Sequence, residues 1–255
     1  GGFPYGMTDC PMPYQEKKLA DKFLTWGWAQ DENDVEFISL RISHNKKVLK
    51  KSRIFKNYDK ILYISTCGSN FFPSDFGMID GVGWEKYYSD QKKFFEALDG
   101  KISKKIEVRL HPADWMYGSV QRKNFLSISK TIDFDIKKKF IDSLSDKKLV
   151  IIDHLQTTFL ETIAFDIPTI IFLDENEWII NNDFSLTYNK LKNANIIHTS
   201  PESATRFLNN NYVNIDNWWS SNEVRKATED IKKYFIKMSL KPEKKLIDYL
   251  EKIKN

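Results

Sequence analysis

The stretch Lys148–Asp174, KLVIIDHLQTTFLETIAFDIPTIIFLD, contains a complete strand, turn, helix and strand. Its first apolar run, Leu149–Ile152, is too short for a helix and rich in β-branched residues, which is typical of a buried parallel strand. A polar turn at Asp153–Thr157 follows, and apolar residues then recur at helical spacing. Pro168 ends this pattern and opens a second buried strand, Thr169–Leu173. The stretch therefore predicts two parallel strands of an α/β sheet that a helix connects.

The start of the predicted helix is a candidate anion site. In an open α/β sheet, ligands bind outside the carboxyl ends of the strands, and a helix N-terminus there presents unpaired N–H groups and a positive dipole end. Thr157, Thr158 and Glu161 lie at this point, and we interpret them as candidate substrate-binding residues. The spacing Thr158-x-x-Glu161 is also that of a capping box, in which the two side chains only start the helix. Local spacing leaves both interpretations open.

A family resemblance favours the binding interpretation. The segment TTFLETIAFDIPTIIF resembles the S/T-x-x-x-E-A-L-A-x-G-x-P-T/V-I element in the carboxyl-terminal domain of GT-B glycosyltransferases. In that family the serine or threonine and the glutamate hold the nucleotide of the sugar donor. The resemblance implies the same role for the threonine pair and Glu161. Asp166 stands where the family pattern usually has glycine.

Composition bounds the class of protein. The chain has 255 residues, 41% of them hydrophobic, which is enough for a substantial core. It contains no run near the roughly 20 apolar residues of a membrane span and no basic-then-apolar order at its amino terminus, so we expect a soluble cytoplasmic protein. Cys10 and Cys67 support neither a disulfide framework nor a zinc site. A net charge of +4 does not indicate a nucleic-acid binder.

The amino terminus carries a second resemblance. GGFPYG at Gly1–Gly6, followed by DKFLTWGW at Asp21–Trp28, resembles the H-G-G-x-Y-G and T-W-G-W elements of a bacterial surface-carbohydrate transferase family related to capsule Kdo and sialic-acid-type transferases. Glycine allows close backbone approach, although a disordered or tag-derived end fits the local sequence equally well. In the family this loop lies in the cleft between two domains. The resemblance thus implies substrate contacts at Gly2, Tyr5 and Gly6, and a chain that is the donor-binding half without an acceptor domain.

Two further strands end in candidate site residues. Lys60–Thr66 is a buried strand, and the small residues that follow it, with Thr66, Gly68 and Ser69 as candidates, are compatible with amides that face a phosphate or with a plain turn. Ile106–His111 alternates apolar residues with polar ones before a terminating proline.

The second of these strands carries the candidate catalytic residue. RLHPADWMYG, residues 109–118, resembles the R-L-H/Y-P-x-D-x-G element of the same transferase family. A histidine at a strand end is able to donate a hydrogen bond to a phosphate. The resemblance implies that His111 meets the donor phosphate, with Arg109 as a substrate-binding residue.

The remaining sequence predicts alternating elements. We expect a helix at Trp84–Leu98, a short strand near Ser127, a basic helix at Asp135–Leu144, a polar loop at Asn209–Asn217, and carboxyl-terminal helices that are broken at Pro242. The lysine-rich run at residues 46–56 indicates a solvated face.

The predicted fold is a three-layer, Rossmann-like α/β domain with a mostly parallel sheet and C-terminal helices. We expect a cleft loop and linker at residues 1–34, a nucleotide-sugar-binding domain at 35–220 and helices at 221–255. The resemblance to the transferase family implies glycosyl transfer from a nucleotide-sugar donor, a CMP-linked nonulosonate or Kdo-like sugar, to a surface glycan, with no metal or cofactor. Peripheral contact with the inner face of the membrane stays open as a partner interaction. The alternatives are another nucleotide-sugar enzyme, such as a UDP-sugar epimerase or a polyol-phosphate transferase, and a nucleotide-binding module without catalysis.

Overall fold

The structure, a computed structural model, describes residues 12–53, 58–67 and 81–254. The strands are β1 (Phe23–Thr25), β2 (Asp34–Glu36), β3 (Lys60–Ile64), β4 (Ile106–Arg109), β5 (Asp133–Phe134), β6 (Lys147–Ile152), β7 (Thr169–Phe172) and β8 (Ile197–His198). The helices are α1 (Met12–Leu19), α2 (Leu40–Ser52), α3 (Gly81–Ala97), α4 (Gly100–Ser103), α5 (Val120–Ile128), α6 (Phe140–Ser143), α7 (Thr157–Ala164), α8 (Asn182–Asn193), α9 (Pro201–Asn211), α10 (Ile215–Trp219), α11 (Asn222–Tyr234) and α12 (Pro242–Lys254).

A six-stranded parallel sheet with the strand order β5-β4-β3-β6-β7-β8 forms the centre of the described part. The chain runs outward from β3 through β4 to β5, and then returns to the other side of β3 to build β6, β7 and β8. The direction of winding therefore reverses between β3 and β6. In open α/β sheets the crevice at such a reversal, at the carboxyl ends of the strands, is where ligands bind.

Helices cover both faces of the sheet, because every central strand is apolar on both sides. Leu62 and Ile64 of β3 contribute to one core, which contains residues of α2, α7, α8 and α11. Ile61 and Tyr63 of the same strand contribute to the other core, which contains residues of α3, α5 and α9. Each fully buried apolar side chain stabilises the fold by about 1.5–3 kcal/mol. The predicted three-layer α/β architecture is confirmed.

The second core is rich in aromatic rings. Phe94 of α3 stacks on Phe172 of β7 with ring centroids 4.9 Å apart and planes 10° apart. Tyr63 lies among Phe94, Phe95 and Phe125 at centroid distances of 5.6, 5.1 and 5.6 Å. Such pairs add about 0.5–1.5 kcal/mol each beyond their burial. This cluster holds Tyr63 in place, so its hydroxyl has a fixed position near the end of the sheet.

A second, two-stranded parallel sheet of β1 and β2 lies against the carboxyl-terminal segment. The backbone N–H of Lys237 donates to the carbonyl of Trp26 at 2.7 Å, and the carbonyl of Lys237 accepts from the N–H of Ser39 at 2.8 Å. Gly27 has φ +130°, and a Cβ at this position would lie 3.2 Å from the carbonyl oxygen of Tyr234. Glycine is required here both by the backbone conformation and by this close approach.

Three secondary-structure predictions are wrong. Residues near Ser127 belong to helix α5 and not to a strand. The region 135–144 follows β5 and contains only the short helix α6. Arg109 donates to the carbonyl of Lys137 and holds that part of the backbone as a loop. The predicted polar loop at 209–217 is the end of α9, a 3-10 turn and α10. In contrast, the helix predicted at 84–98 is confirmed as α3, and Pro242 begins α12 as expected.

The lysine-rich run lies largely on α2, whose N-cap Ser39 accepts a hydrogen bond from the Ile42 N–H. Val224, Ala227 and Ile231 of α11 lie in the same core as α7 and α8. The domain boundaries at residues 34 and 220 stay a prediction. Within the described ranges, no helix has both the length and the apolar character that crossing a bilayer requires.

Candidate functional site

Polar side chains follow three neighbouring strands at the carboxyl edge of the sheet. Thr66 lies two residues beyond β3, and His111 lies two residues beyond β4. Asp153 and His154 directly follow β6, and helix α7 then begins at Thr157. These strands are adjacent and parallel, so their ends meet at the reversal between β3 and β6.

Asp153 is the buried centre of this edge, with 1% of its surface exposed. Its Oδ2 accepts hydrogen bonds from the Tyr63 hydroxyl and the Gln91 amide, both at 2.8 Å. Its Oδ1 accepts from the Tyr87 hydroxyl at 2.8 Å and lies 3.0 Å from Nδ1 of His154. An ionised carboxylate only accepts hydrogen bonds, and four partners match its capacity. Burial raises the pKa values of Tyr63 and Tyr87 well above their usual value, so both remain donors.

His154 connects this carboxylate to the start of α7. The residue is 2% exposed. Its Nε2 lies 3.2 Å from the hydroxyl oxygen of Thr158, which is itself partly exposed. The imidazole of His154 therefore links the buried carboxylate of Asp153 to the N-terminus of α7.

Thr66 is hydrogen-bonded to helix α3 and to the residue just before helix α7. Its backbone N–H donates to the hydroxyl of Tyr87 at 2.9 Å, which places the turn after β3 beside α3. Its Oγ1 accepts from the side-chain amide of Gln156 at 3.3 Å, next to the first residue of α7. The turn and the helix N-terminus are consequently held in one arrangement.

His111 has a defined tautomer. Its Nδ1 accepts from the backbone N–H of Ala113 at 3.2 Å and lies 3.1 Å from the thiol sulfur of Cys67. Burial, with a contribution from the nearby His154, lowers the pKa of His111. The neutral imidazole therefore carries its proton on Nε2, and this N–H is available to an anion without protonation of the ring.

The beginning of α7 differs from a capping box. The N-cap is Gln156, with φ −130°, and no side chain caps the helix there. Thr158 binds His154, and Glu161 lies one turn into the helix, so the alternative capping interpretation of these two residues is wrong. Thr157 is the first helical residue and is partly exposed. The first-turn N–H groups of α7 lie at the carboxyl edge of the sheet, which is the edge at which open α/β sheets bind their ligands.

Glu161 is buried and pairs with an exposed arginine. Its Oε1 lies 3.0 Å from Nη2 of Arg41, with side-chain exposures of 6% and 60% respectively. Burial raises the pKa of Glu161, and the charge of Arg41 acts in the opposite direction. A carboxylate with one solvent-facing partner is able to exchange that partner for ligand hydroxyls.

Arg109 has a structural role. Its Nη1 donates to Asp135 at 2.6 Å, to the carbonyl of Lys137 at 2.9 Å and to the hydroxyl of Ser143 at 2.9 Å. These contacts join β4 to the segment after β5. Nη1 of the guanidinium is thereby directed at this segment, and we do not include Arg109 in the candidate site.

The structure brings together Thr66, His111, Thr157 and Thr158, with Glu161 one turn further along α7. Gly2, Tyr5, Gly6, Gly68 and Ser69 lie outside the described residues, so their predicted roles stay predictions. Sequence reasoning did not single out Asp153 and His154, and the signal available was an Asp-His pair directly after a buried strand. In the part of the chain that the structure describes, no group of three or more His, Cys, Asp or Glu side chains is suited to a metal ion.

A scan of protein families matches residues 1–250 to the "LIC12162 family transferase". The chain belongs to the LIC12162 family of transferases. The family is one of transferases, the class of protein that the sequence predicted. A comparison with curated protein sequences finds no match. The relation to capsule Kdo and sialic-acid-type transferases stays a prediction.

Solved structures of two other proteins are similar to this LIC12162-family chain. A histidine-to-alanine variant of the wall teichoic acid polymerase TagF matches 95% of the chain with 12% identity and a TM-score of 0.52. The chain spans 61% of that TagF chain. WaaG, a glycosyltransferase involved in lipopolysaccharide biosynthesis, matches 87% of this chain and 57% of its own, with 12% identity and a TM-score of 0.37. At these identities the likeness to TagF is one of fold.

Proposed function

We propose that this chain is the donor-binding domain of a GT-B-type glycosyltransferase for a bacterial surface polysaccharide, with a CMP-linked nonulosonate or Kdo-like sugar as donor. The observation that carries the proposal is that Thr66, His111 and the N-terminus of α7 lie at the carboxyl ends of three neighbouring strands, at the sheet reversal. Membership of a transferase family and the TagF-like fold support it. The cytidine base and the sugar class come from the sequence resemblance.

The chemistry of the site suits departure of a nucleotide. When the glycosidic bond to the donor breaks, negative charge grows on the leaving phosphate oxygen. The N–H of His111 and the first-turn amides of α7 are fixed donors that stabilise this charge, since they need no reorganisation at the moment of reaction. In this proposal Glu161 accepts hydrogen bonds from the ribose hydroxyls, and Arg41 turns toward solvent.

The test is calorimetric titration of the protein with CMP, in parallel with UMP, GMP and ADP. We expect CMP to bind most tightly. His111→Ala should weaken CMP binding by about 1.5–3 kcal/mol, or at least tenfold, because a hydrogen bond to a charged phosphate is lost. The melting temperature should change little, since the imidazole is only half-buried.

The matched control is His44→Ala, because His44 is 65% exposed on α2 and should leave CMP affinity unchanged. Unaltered CMP affinity in folded His111→Ala protein would exclude His111 from the donor site. Preference for UMP would favour a UDP-sugar enzyme such as an epimerase. Nucleotide binding without transfer of sugar to any acceptor would favour a module that lacks catalysis.

Polyol-phosphate transfer is a second candidate, and the fold likeness to a wall teichoic acid polymerase favours it. It would use the same phosphate-facing groups with a CDP-linked polyol as donor. Turnover of a CDP-linked polyol, with no turnover of a CMP-linked sugar, would select this candidate over the first.

A further inference from the structure

Asp153, His154 and Thr158 form a line of hydrogen bonds, here called the relay, from the buried centre of the sheet edge to the start of α7. The Asp153 Oδ1 to His154 Nδ1 distance is 3.0 Å, and the His154 Nε2 to Thr158 Oγ1 distance is 3.2 Å. The first two residues are buried, whereas Thr158 is partly exposed. The relay therefore ends at a hydroxyl that a ligand at the α7 N-terminus is able to contact.

Proton positions in the relay follow from its partners. The Asp153 carboxylate accepts from Tyr63, Tyr87 and Gln91, so Nδ1 of His154 also donates to it. Only Nε2 is then free to change its protonation. In the neutral ring Nε2 accepts a hydrogen bond from the Thr158 hydroxyl, so the hydroxyl proton points away from the ligand. In the charged ring Nε2–H donates to Oγ1, and the hydroxyl proton is free to point at a ligand.

We propose that the site takes up one proton from solvent at Nε2 of His154 when it binds a phosphate-bearing ligand, and that this proton makes the Thr158 hydroxyl a donor to the ligand. The inference rests on the proposed function, namely that a donor phosphate binds beside α7. In this proposal the phosphate binds at the Thr158 end of the relay, so the His154 ring lies between the Asp153 carboxylate and the phosphate, and the phosphate attracts a positive charge on the ring. His154 is in this respect a positioning residue, because it acts on the ligand through Thr158.

Other groups around the relay are less suited to take the proton. Tyr63 and Tyr87 are already protonated donors to Asp153. His111 lies near enough to His154 for each positive charge to oppose the other. Protonation of His111 would set an N–H at Nδ1 against the N–H of Ala113, which now donates to that nitrogen. Among the described residues, the titratable and charged groups near the relay or its partners include Tyr63, Tyr87, Asp90, His111 and Asp114, and the Cys67 thiol contacts His111.

The experiment measures proton uptake on binding of the 5′-methyl phosphodiester of CMP. This probe has no phosphate group that titrates near neutral pH, so any uptake belongs to the protein. Calorimetry in buffers with different ionisation enthalpies, at about pH 7.5, should show uptake of about half a proton or more per ligand. Affinity should fall as the pH rises, with a slope of up to about tenfold per pH unit.

Two variants test whether His154 is the group that takes up the proton. His154→Asn keeps a donor to Asp153 but does not titrate, so uptake and the pH dependence of affinity should vanish. His111→Gln keeps a donor near the Nε2 position and should weaken binding while uptake persists. Nitrogen NMR of the His154 ring in the parent protein gives the same answer directly if His154→Asn does not fold.

Each outcome bears on a defined claim. Failure of the folded parent to bind both CMP and its diester would overturn the proposed function and this inference together. Diester binding without proton uptake, an unchanged His154 ring on binding, uptake that persists in His154→Asn, or uptake that is lost in His111→Gln would overturn the relay alone.

Discussion

At the residue scale, Glu161 has a buried carboxylate whose charged partner, Arg41, is exposed to solvent. Burial raises its pKa, and Arg41 only partly opposes this effect. Because its folded-state pKa lies above the unfolded value, the folded protein binds this proton more tightly. Glu161 therefore stabilises the fold less as the pH rises from its unfolded pKa through its folded pKa.

We predict that Glu161→Gln changes stability in a pH-dependent direction. Relative to the parent, the variant should be more stable at about pH 7 than at about pH 4, because it lacks a carboxyl whose raised pKa makes the folded parent less stable as the pH rises. Urea unfolding at both pH values measures the difference.

In the Glu161→Gln variant CMP affinity should also fall by about 1–3 kcal/mol, since an amide has one accepting oxygen for two ribose hydroxyls. A parent-like CMP affinity would remove Glu161 from the donor site.

Cys67 provides a chemical prediction beside His111. Burial, together with the charge of Asp114, raises the pKa of the Cys67 thiol to about 12. The thiolate is the reactive species, so iodoacetamide at about pH 8 should label Cys67 in the folded protein roughly a thousandfold more slowly than an ordinary thiol. Peptide mapping distinguishes it from Cys10. Fast labelling of the Cys67 peptide before unfolding would contradict the thiol state on which the His111 tautomer depends.

The residues of the site were predictable to the extent that each follows a strand. Thr66 and His111 could be predicted as site residues because an apolar strand ends just before each of them. The two partners of His111 are the Cys67 thiol and the Ala113 N–H. These contacts were not predictable, because they depend on how two separate turns approach each other. Asp153 is central only because Tyr63, Tyr87 and Gln91 converge on it from β3 and α3, and no local pattern encodes that convergence.

At the element scale, α3 fixes the turn after β3 through one side chain. Tyr87 accepts from the Thr66 N–H and donates to Asp153, and all three groups are buried. Tyr87→Phe should lower the free energy of unfolding by about 1–3 kcal/mol, because an amide and a carboxylate each lose a partner. Tyr234→Phe is the control, since Tyr234 is 45% exposed and its change should stay within about 0.5 kcal/mol. Equal stabilities of the two variants, by urea unfolding, would contradict the network.

The elements themselves were predicted best where packing and local preference agree. The strands β3, β6 and β7 are continuous β-branched or apolar runs, and such runs suit a strand that is buried on both faces. The predicted helix at 135–144 was wrong, because the long-range contact of Arg109 with Lys137 outweighs a weak local preference. The helix cap at Gln156 was also not predictable, because the adjacent threonines match a common capping pattern.

At the scale of the whole molecule, the sheet and α11 share one core. Ile231 of α11 is fully buried, whereas Ile247 of α12 is 55% exposed. Ile231→Ala should cost about 2–5 kcal/mol, and Ile247→Ala less than about 0.5 kcal/mol. Circular dichroism and tryptophan fluorescence should report coincident unfolding of the Ile231→Ala variant. Separate transitions would mean that the carboxyl-terminal helices unfold as an independent unit.

The contacts of the segment around Lys237 also set an order of events on the ribosome. Ser239 and Ser43, whose N–H and hydroxyl oxygen are 3.1 Å apart, are separated by 196 positions in the chain. Trp26 and Ser39 emerge before any strand of the six-stranded sheet, but their backbone partner at Lys237 emerges only after all six strands have been made. The nascent chain is thus able to assemble the sheet before β1, β2 and the cap of α2 find their final partners. The segment of β1 and β2 is therefore synthesised before the six-stranded sheet but reaches its final contacts after it.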